Sequence, residues 1–532
     1  MPDTNLLDSP VDLAANVEII PPQDQDLTWV VRRPDHRLLS VSPDIGRLLL
    51  TLRDTPGFLT IPDLASLTPD PWSHEEAEAA VQAMRSHGLL SLPGEVGSVA
   101  HPSRVSLDHD GPFILKLCLN GTERFFHSLE PWVRRVRDSR LRWLPPTLSL
   151  GGILLLARAV SSPEGGLYQP LGVSTFLGVI VALILTTAVH ELSHGLALTA
   201  CGQVPHRVGV MVFYLAPAAF CDVTDAWLLR RHQRVVVAAA GVTAQTCLGA
   251  IALGAAPAAS ADLAGALTWY GAMTYLGAVV NIIPFLKLDG YVALVGWLDQ
   301  PNLRRRSMQA VRDTLAGTPG HGGESWRVIL FGLGCTLTPV LIIWLGMSSL
   351  LSALSQFETL SMVALVGILF SVVVAASSLS ARALRSTPAG HRIRLGVAAA
   401  LLSTLAMLLP VSTSSSHGFI AQQDGSVLAY ADVTTTVHPG TTVSLHRAGL
   451  LAGPPLGSGT VVGTQRCRVP VNAVSPVRSD AAMPEGDCLR VIPTTPQDPD
   501  STGRITTDSP PRPLGLVVWR QMASVLRSFT SS

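Results

Sequence analysis

Hydrophobic and polar positions change texture three times along the chain. Between Leu27 and Leu92 the apolar residues come in short groups. Leu27 to Val31 and Arg37 to Val41 predict two strands joined through Pro34. Ile45, Leu48, Leu49 and Leu52 then fall on one face of a helix that begins at Ser42 with Pro43 in its first position. A second helix is suggested at Ile61 to Leu64. Ser73 and Glu76 form a capping box for a third, which runs through Val81 and Met84, stops at Gly88 and is followed by a strand from Leu89 to Leu92. Residues 1–100 therefore predict a small α+β domain. Residues 101–144 read as a connector ending in the basic run Arg134, Arg135, Arg137, Arg140 and Arg142.

Beyond the connector the apolar runs lengthen to membrane-spanning size, at Pro145–Ser161, Leu171–Ala200, Val235–Pro257, Ala264–Pro284, Val328–Leu350, Leu360–Ser378 and Ile393–Pro410. The expectation for 145–410 is a mainly α, polytopic helix bundle of about seven spans. Its first run is short and carries Arg158, which can snorkel to an interface. Loop charge tests this reading independently. Loops after the second, fourth and sixth runs hold Arg207, Arg230, Arg231 and Arg234, then Lys287, Arg304 to Arg306 and Arg312, then Arg382, Arg385 and Arg392, whereas the other loops hold none. Cytosolic loops are the basic ones, so the N-terminus is expected in the cytosol and residues 411–532 outside. That tail alternates as β structure at Ser426–Tyr430, Thr441–Leu445 and Gly459–Gly463, with a disordered end expected near Pro496 to Pro513.

Composition agrees with a cell-membrane protein bearing polar attachments: 532 residues, 47% hydrophobic and only 14% charged. A formal net charge of zero gives no reason to expect a nucleic-acid partner. The acidic stretch Met1 to Gln25 lacks the basic and apolar pattern of a cleaved signal. Of seven cysteines, Cys118, Cys201, Cys221, Cys247 and Cys335 have no metal-type spacing and read as small buried hydrophobes. Cys467 and Cys488 lie in the polar tail, where a disulfide forms if that tail faces an oxidising compartment.

The chemistry lies in His190-Glu191-Leu192-Ser193-His194, inside an apolar run where ionisable side chains are expensive. Histidines four apart on a helix can share one Zn²⁺ while the intervening glutamate stands beside the open coordination position. Two histidines leave a catalytic zinc one protein ligand short, so a carboxylate, His or Cys must come from elsewhere. The fourth run ends in Asn281-Ile282-Ile283-Pro284-Phe285-Leu286-Lys287-Leu288-Asp289-Gly290, where Pro284 breaks the helix and Asp289 falls at the cytosolic edge. Asp222 and Asp225 read as turn or capping residues. The remaining histidines carry no chemistry in this reading.

His-Glu-x-x-His followed by Asn-x-x-Pro and Leu-Asp-Gly resembles the site-2 protease family of intramembrane zinc metalloproteases, over about Leu171 to Leu298. The resemblance implies His190, His194 and Asp289 as zinc ligands and Glu191 as the general base that takes a proton from water. It associates Asn281 with substrate, against the plainer reading of a helix-packing amide. The β-prone stretch Val208 to Leu215 could offer an edge to an extended substrate. At the N-terminus, the element order and Ala83-Met84-Arg85-Ser86-His87-Gly88-Leu89-Leu90 resemble the PqqD-like, winged-helix-like domains that bind leader peptides. In the tail, Val437-His438-Pro439-Gly440-Thr441-Thr442-Val443 resembles the turn of lipoyl-like β domains, beside the plainer reading of a disulfide-tied β unit. Together these suggest a zinc endopeptidase of ribosomal-peptide maturation, of the daptide type. The expected partners are a precursor peptide, the lipid bilayer and other maturation or export proteins. The alternatives are regulated proteolysis of a membrane-anchored signalling factor, and a non-proteolytic export or immunity protein.

Overall fold

The computed structural model describes residues 11–14, 17–22, 29–33, 38–54, 60, 72–91, 104–109, 114–162, 166–168, 171–213, 216–316, 325–354, 408, 410–411, 414–430, 438–447, 455–469, 477–478, 485–499, 501–508, 512–513, 516 and 519. They divide into two units. One comprises residues 1–149, 184–247 and 277–303, and the other 150–183, 248–276 and 304–532.

The first unit begins with the expected α+β domain. Strands β2 (Glu18–Ile20), β3 (Trp29–Arg32) and β4 (Leu38–Val41) form an antiparallel sheet in that order, and β1 (Asp12–Leu13) pairs with β5 (Leu90–Ser91). Helices α1 (Pro43–Asp54) and α2 (His74–Ser86) put Leu48, Leu49, Leu52, Val81 and Met84 against Val31 and Leu89. Burying each such leucine is worth about 1.5–3 kcal/mol relative to exposure. The capping box closes as expected, with the Glu76 carboxylate accepting from the Ser73 N–H at 2.9 Å. Gly88 ends the helix at φ +67. The helix suggested at Ile61 to Leu64 lies outside the described residues.

The stretch expected to be a connector is folded. Strands β6 (Val105–His109) and β7 (Ile114–Asn120) join β8 (Arg207–Phe213) and β9 (Ala216–Cys221) in an antiparallel sheet of order β9-β8-β7-β6. The pairing of β7 with β8 joins segments about ninety residues apart in sequence, which local periodicity does not reveal. Helix α3 (Glu123–Asp138) follows, with Phe126 fully buried.

Four helices among the described residues are long and apolar enough to cross a membrane: Arg140–Ser161, Val173–Ala200, Arg231–Ala258 and Ala261–Ile282. These stretches contain α4 (Leu144–Ser161), α5 (Val173–Ala200), α6 (Arg231–Ala255) and α7 (Ala261–Ile282). They answer the first four of the seven expected runs. The fifth falls on α10 (Trp326–Leu354), while Leu360–Ser378 and nearly all of Ile393–Pro410 lie outside the described residues. Between the fourth and fifth runs, α8 (Asp289–Leu298) and the arginine-bearing α9 (Leu303–Ala316) occupy what read as a loop.

In the second unit, Leu167, Leu171, Val179 and Trp269 make an apolar cluster. The polar groups within it are satisfied locally, Trp269 Nε1 donating to Gly166 O at 3.1 Å and Tyr168 OH to Val160 O at 2.6 Å. The tail of this unit is a closed six-stranded barrel. Its strands are β10 (Ser414–Ala421), β11 (Val427–Tyr430), β12 (Thr442–Arg447), β13 (Pro455–Cys467), β14 (Gly486–Pro493) and β15 (Thr502–Asp508), in the order β10-β11-β14-β13-β12-β15. The three expected β runs fall on β11, β12 and β13. The expected disorder from Pro496 to Pro513 is corrected, because β15 pairs with both β10 and β12 and so closes the barrel. Within the phrase compared with lipoyl domains, His438 to Thr441 make a turn that leads into β12, with Thr441 N–H donating to His438 O at 3.1 Å.

Candidate metal centre

Helix α5 sets His190 and His194 one turn apart, with ring centroids 4.9 Å from each other. Each imidazole is oriented through its far nitrogen. His194 Nδ1 lies 2.7 Å from Val237 O, which can only accept, so this nitrogen carries the proton. His190 Nδ1 lies 3.1 Å from Gln245 Oε1 and donates in the same way. Both partners belong to α6. The two Nε2 atoms are left 3.2 Å apart, and at most one proton fits between them.

Asp289 opens α8. Helix α7 ends at Ile282, the chain turns through Pro284, and Gly290 lets it fold back: a Cβ there would lie 2.0 Å from Ile282 O. This turn brings Asp289 Oδ2 to 2.8 Å from His190 Nε2 and Oδ1 to 3.3 Å from His194 Nε2. The shorter approach lacks hydrogen-bond geometry, so Oδ2 is buried with no hydrogen-bond partner among the described residues. Lone pairs of two imidazoles and a carboxylate thus converge on one point, all within 4.8 Å of one another. Such an arrangement is repulsive unless a proton or a cation occupies its centre. Space is kept for an ion as well. A Cβ on Gly241 of α6 would lie 2.4 Å from His194 Nε2 and 2.6 Å from His190 Nε2. The residues fit a metal ion.

Glu191 stands beside this group, and its Oε2 accepts from the Cys221 N–H at 3.3 Å, at the end of β9. Burial pushes the Cys221 thiol up to about 12, with the Glu191 charge adding to the effect. A neutral thiol packs; it is no nucleophile. Of the stretch 208–215 anticipated as an edge for an extended substrate, residues 208–213 are not one, because β8 lies between β9 and β7, and residues 214–215 lie outside the described residues. The edge is β9. Asp222 N–H donates to Arg207 O across the β9–β8 pair, and Cys221 N–H points the other way to Glu191. By alternation Ala219 also directs its N–H and C=O outward, and Pro217 occupies the next outward position.

Asn281 lies in the last turn of α7, half-buried, with no hydrogen bond to its side chain among the described residues. Asp222 is the turn residue expected, accepting from Thr224 N at 3.2 Å and pairing with Arg207 at 2.8 Å. Asp225 does more than that. Only 4% exposed, it meets Arg32 of β3 at 3.2 Å and His206 at 3.1 Å, and His206 also reaches Glu123 at 2.8 Å. In the tail, Cys467 and Cys488 are joined as expected, tying β13 to β14. Sequence reasoning missed Gln245, Gly241 and Cys221. A signal for the first two exists: they lie four apart on an apolar helix and hence on one face.

No protein-family model, curated protein or solved structure matches this chain.

Proposed function

We propose that the protein is an intramembrane zinc endopeptidase, similar to the site-2 proteases, that hydrolyses a peptide bond in a ribosomally synthesised precursor peptide. One observation carries the reading: the Nε2 atoms of His190 and His194 and the Asp289 carboxylate converge with Glu191 alongside. Zinc is favoured by donor type and size. A tetrahedral ion with bonds of about 2.0–2.1 Å spaces its ligands by about 3.3 Å. Separations of 3.2 and 3.3 Å agree with this while the 2.8 Å approach of Oδ2 is closer, and nitrogen with carboxylate oxygen is a zinc donor set. When bound, zinc would supply Lewis-acid polarisation and lower the pKa of a water to about 7.

The chain's own groups do the rest. His194 and His190 are held as ligands by Val237 O and Gln245. Glu191, steadied by the Cys221 N–H, accepts a proton and returns it to the leaving amine. The outward edge of β9 pairs with an unwound substrate segment, since a peptide bond inside a helix is shielded from attack. Asn281, with its amide uncommitted, is a substrate contact. Seven spans, a cytosolic N-terminus and an external barrel complete the reading. Loop arginines and the Cys467–Cys488 bond support that topology.

The test is Glu191→Gln in the full chain. Zinc content should stay near that of the parent while cleavage of the precursor falls by about 10²–10⁴-fold. Unchanged cleavage rejects the general-base role. Zinc binding by the parent chain with no peptide cleaved would favour a non-proteolytic membrane protein.

A second reading makes residues 1–100 a gate over regulated proteolysis of a membrane-anchored factor. The Arg32–Asp225 contact favours it, because it ties the N-terminal sheet to the loop that follows β9. Removing residues 1–100 separates the two, loss of cleavage marking recognition of a leader and gain marking a gate.

A further inference from the structure

Helix α3 has two apolar faces, and only one is used inside the protein. Phe126 is fully buried, and a Cβ on Gly195 of α5 would lie 2.8 Å from its ring, so α3 rests directly on the residue after His194. The other face is the stripe Phe125, Leu129, Trp132 and Val136, spaced i, i+4, i+7 and i+11. Phe125 is 55% exposed and Trp132 74% exposed, more than an isolated surface aromatic explains.

Charge says what covers the stripe. Arg134 is matched by Glu130 at 2.6 Å and Arg137 by Asp138 at 2.8 Å. Arg124, Arg135, Arg140 and Arg142 have no ion-pair partner among the described residues. Arg124 and Arg135 lie along one side of the exposed stripe, and Arg140 and Arg142 lie where α3 gives way to the first apolar helix, Arg142 over the ring of the 61% exposed Trp143. Ser139 breaks the path there in an extended conformation, so α3 is not a continuation of that helix. An apolar stripe carrying Trp132, bordered by arginines that form no ion pair among the described residues and followed by Trp143 at the start of a spanning segment, has the chemistry of a helix lying in a membrane surface.

We propose that α3 lies in the membrane interface and binds anionic phospholipid, with Phe125, Trp132 and Val136 in the acyl boundary and the four unmatched arginines on the headgroups. Contact with the lipid surface then bears on α5 through Phe126 and Gly195. The inference rests on membrane placement, not on proteolysis, and its test reads binding and not cleavage.

The experiment measures backbone hydrogen exchange of the full chain in nanodiscs of phosphatidylcholine alone, or with about one third phosphatidylglycerol. Residues 123–138 should exchange about tenfold more slowly in the anionic discs. A variant with Arg124, Arg135, Arg140 and Arg142 all changed to Gln should lose that difference while protection of α5 is retained. Equal exchange in both lipids overturns the proposal, as does a difference that survives in the variant. Protection that grows with protein concentration and not with anionic lipid assigns the face to a second copy and also overturns it.

Discussion

Two β structures in this chain end differently. In the barrel of residues 414–508 each strand has a neighbour on both sides, and Phe419, Val427, Leu445, Val461, Leu489, Val491 and Ile505 make an apolar interior, with His417 and Ser426 also buried. The sheet of residues 105–221 stops at β9, with no strand beyond it among the described residues, and the N–H at its end goes to Glu191 instead of to another strand. An open edge invites pairing with other chains, which folds usually avoid. Here it adjoins converging imidazoles and a carboxylate. The barrel closes on itself, whereas the sheet leaves β9 unpaired on one side among the described residues.

Three experiments press on that contrast. The largest effect is expected at the metal centre: Gln245→Leu removes the acceptor that orients His190, and zinc affinity should fall by about 10–100-fold in a chelator competition. Next is the open edge. Ala219→Pro deletes one outward N–H, and cleavage should drop by about tenfold with zinc content unchanged. The matching change in the barrel, Val491→Ala, should lower stability of the tail by about 2 kcal/mol in denaturant unfolding and leave cleavage alone. If the two variants trade effects, the distinction between edge and barrel is wrong.

The smallest effect is a pH dependence. The hydrogen bond from His206 to Asp225 holds the imidazole pKa above its ordinary value, helped by Glu123 and opposed by burial. The sign follows from the raised value: this stabilisation is complete below about pH 6.5 and is lost as pH rises through the higher folded pKa. Thermal unfolding of the full chain and of His206→Gln should therefore differ most below about pH 6.5 and draw together as pH rises through the folded pKa. A gap of constant size across that range would remove His206 from the linkage between Arg32, Asp225 and Glu123.

Much of this was legible in the chain. The capping box at Ser73, the helix bearing His190 and His194, the first four apolar runs and the Cys467–Cys488 bond each depend on neighbours in sequence or on a single pairing. The hairpin of β6 and β7 was not legible, because a strand is specified by its partner and β8, which pairs with β7, lies beyond two apolar helices. The barrel strand β15 was hidden for a similar reason, its Thr-rich sequence resembling the polar tail around it until β10 and β12 are brought to either side.

The amino-acid sequence by itself determined which side chains can bind a metal, since helical periodicity alone puts His190 and His194 on one face and Pro284 alone ends the helix before Asp289. Only the tertiary structure decided that these groups meet, that Gly241 leaves them room, that Gln245 and Val237 O turn their lone pairs inward, and that Glu191 rests against an open strand. The reason is physical: spacing along a helix is a property of the local backbone, whereas orientation and free volume are set by whatever packs against it.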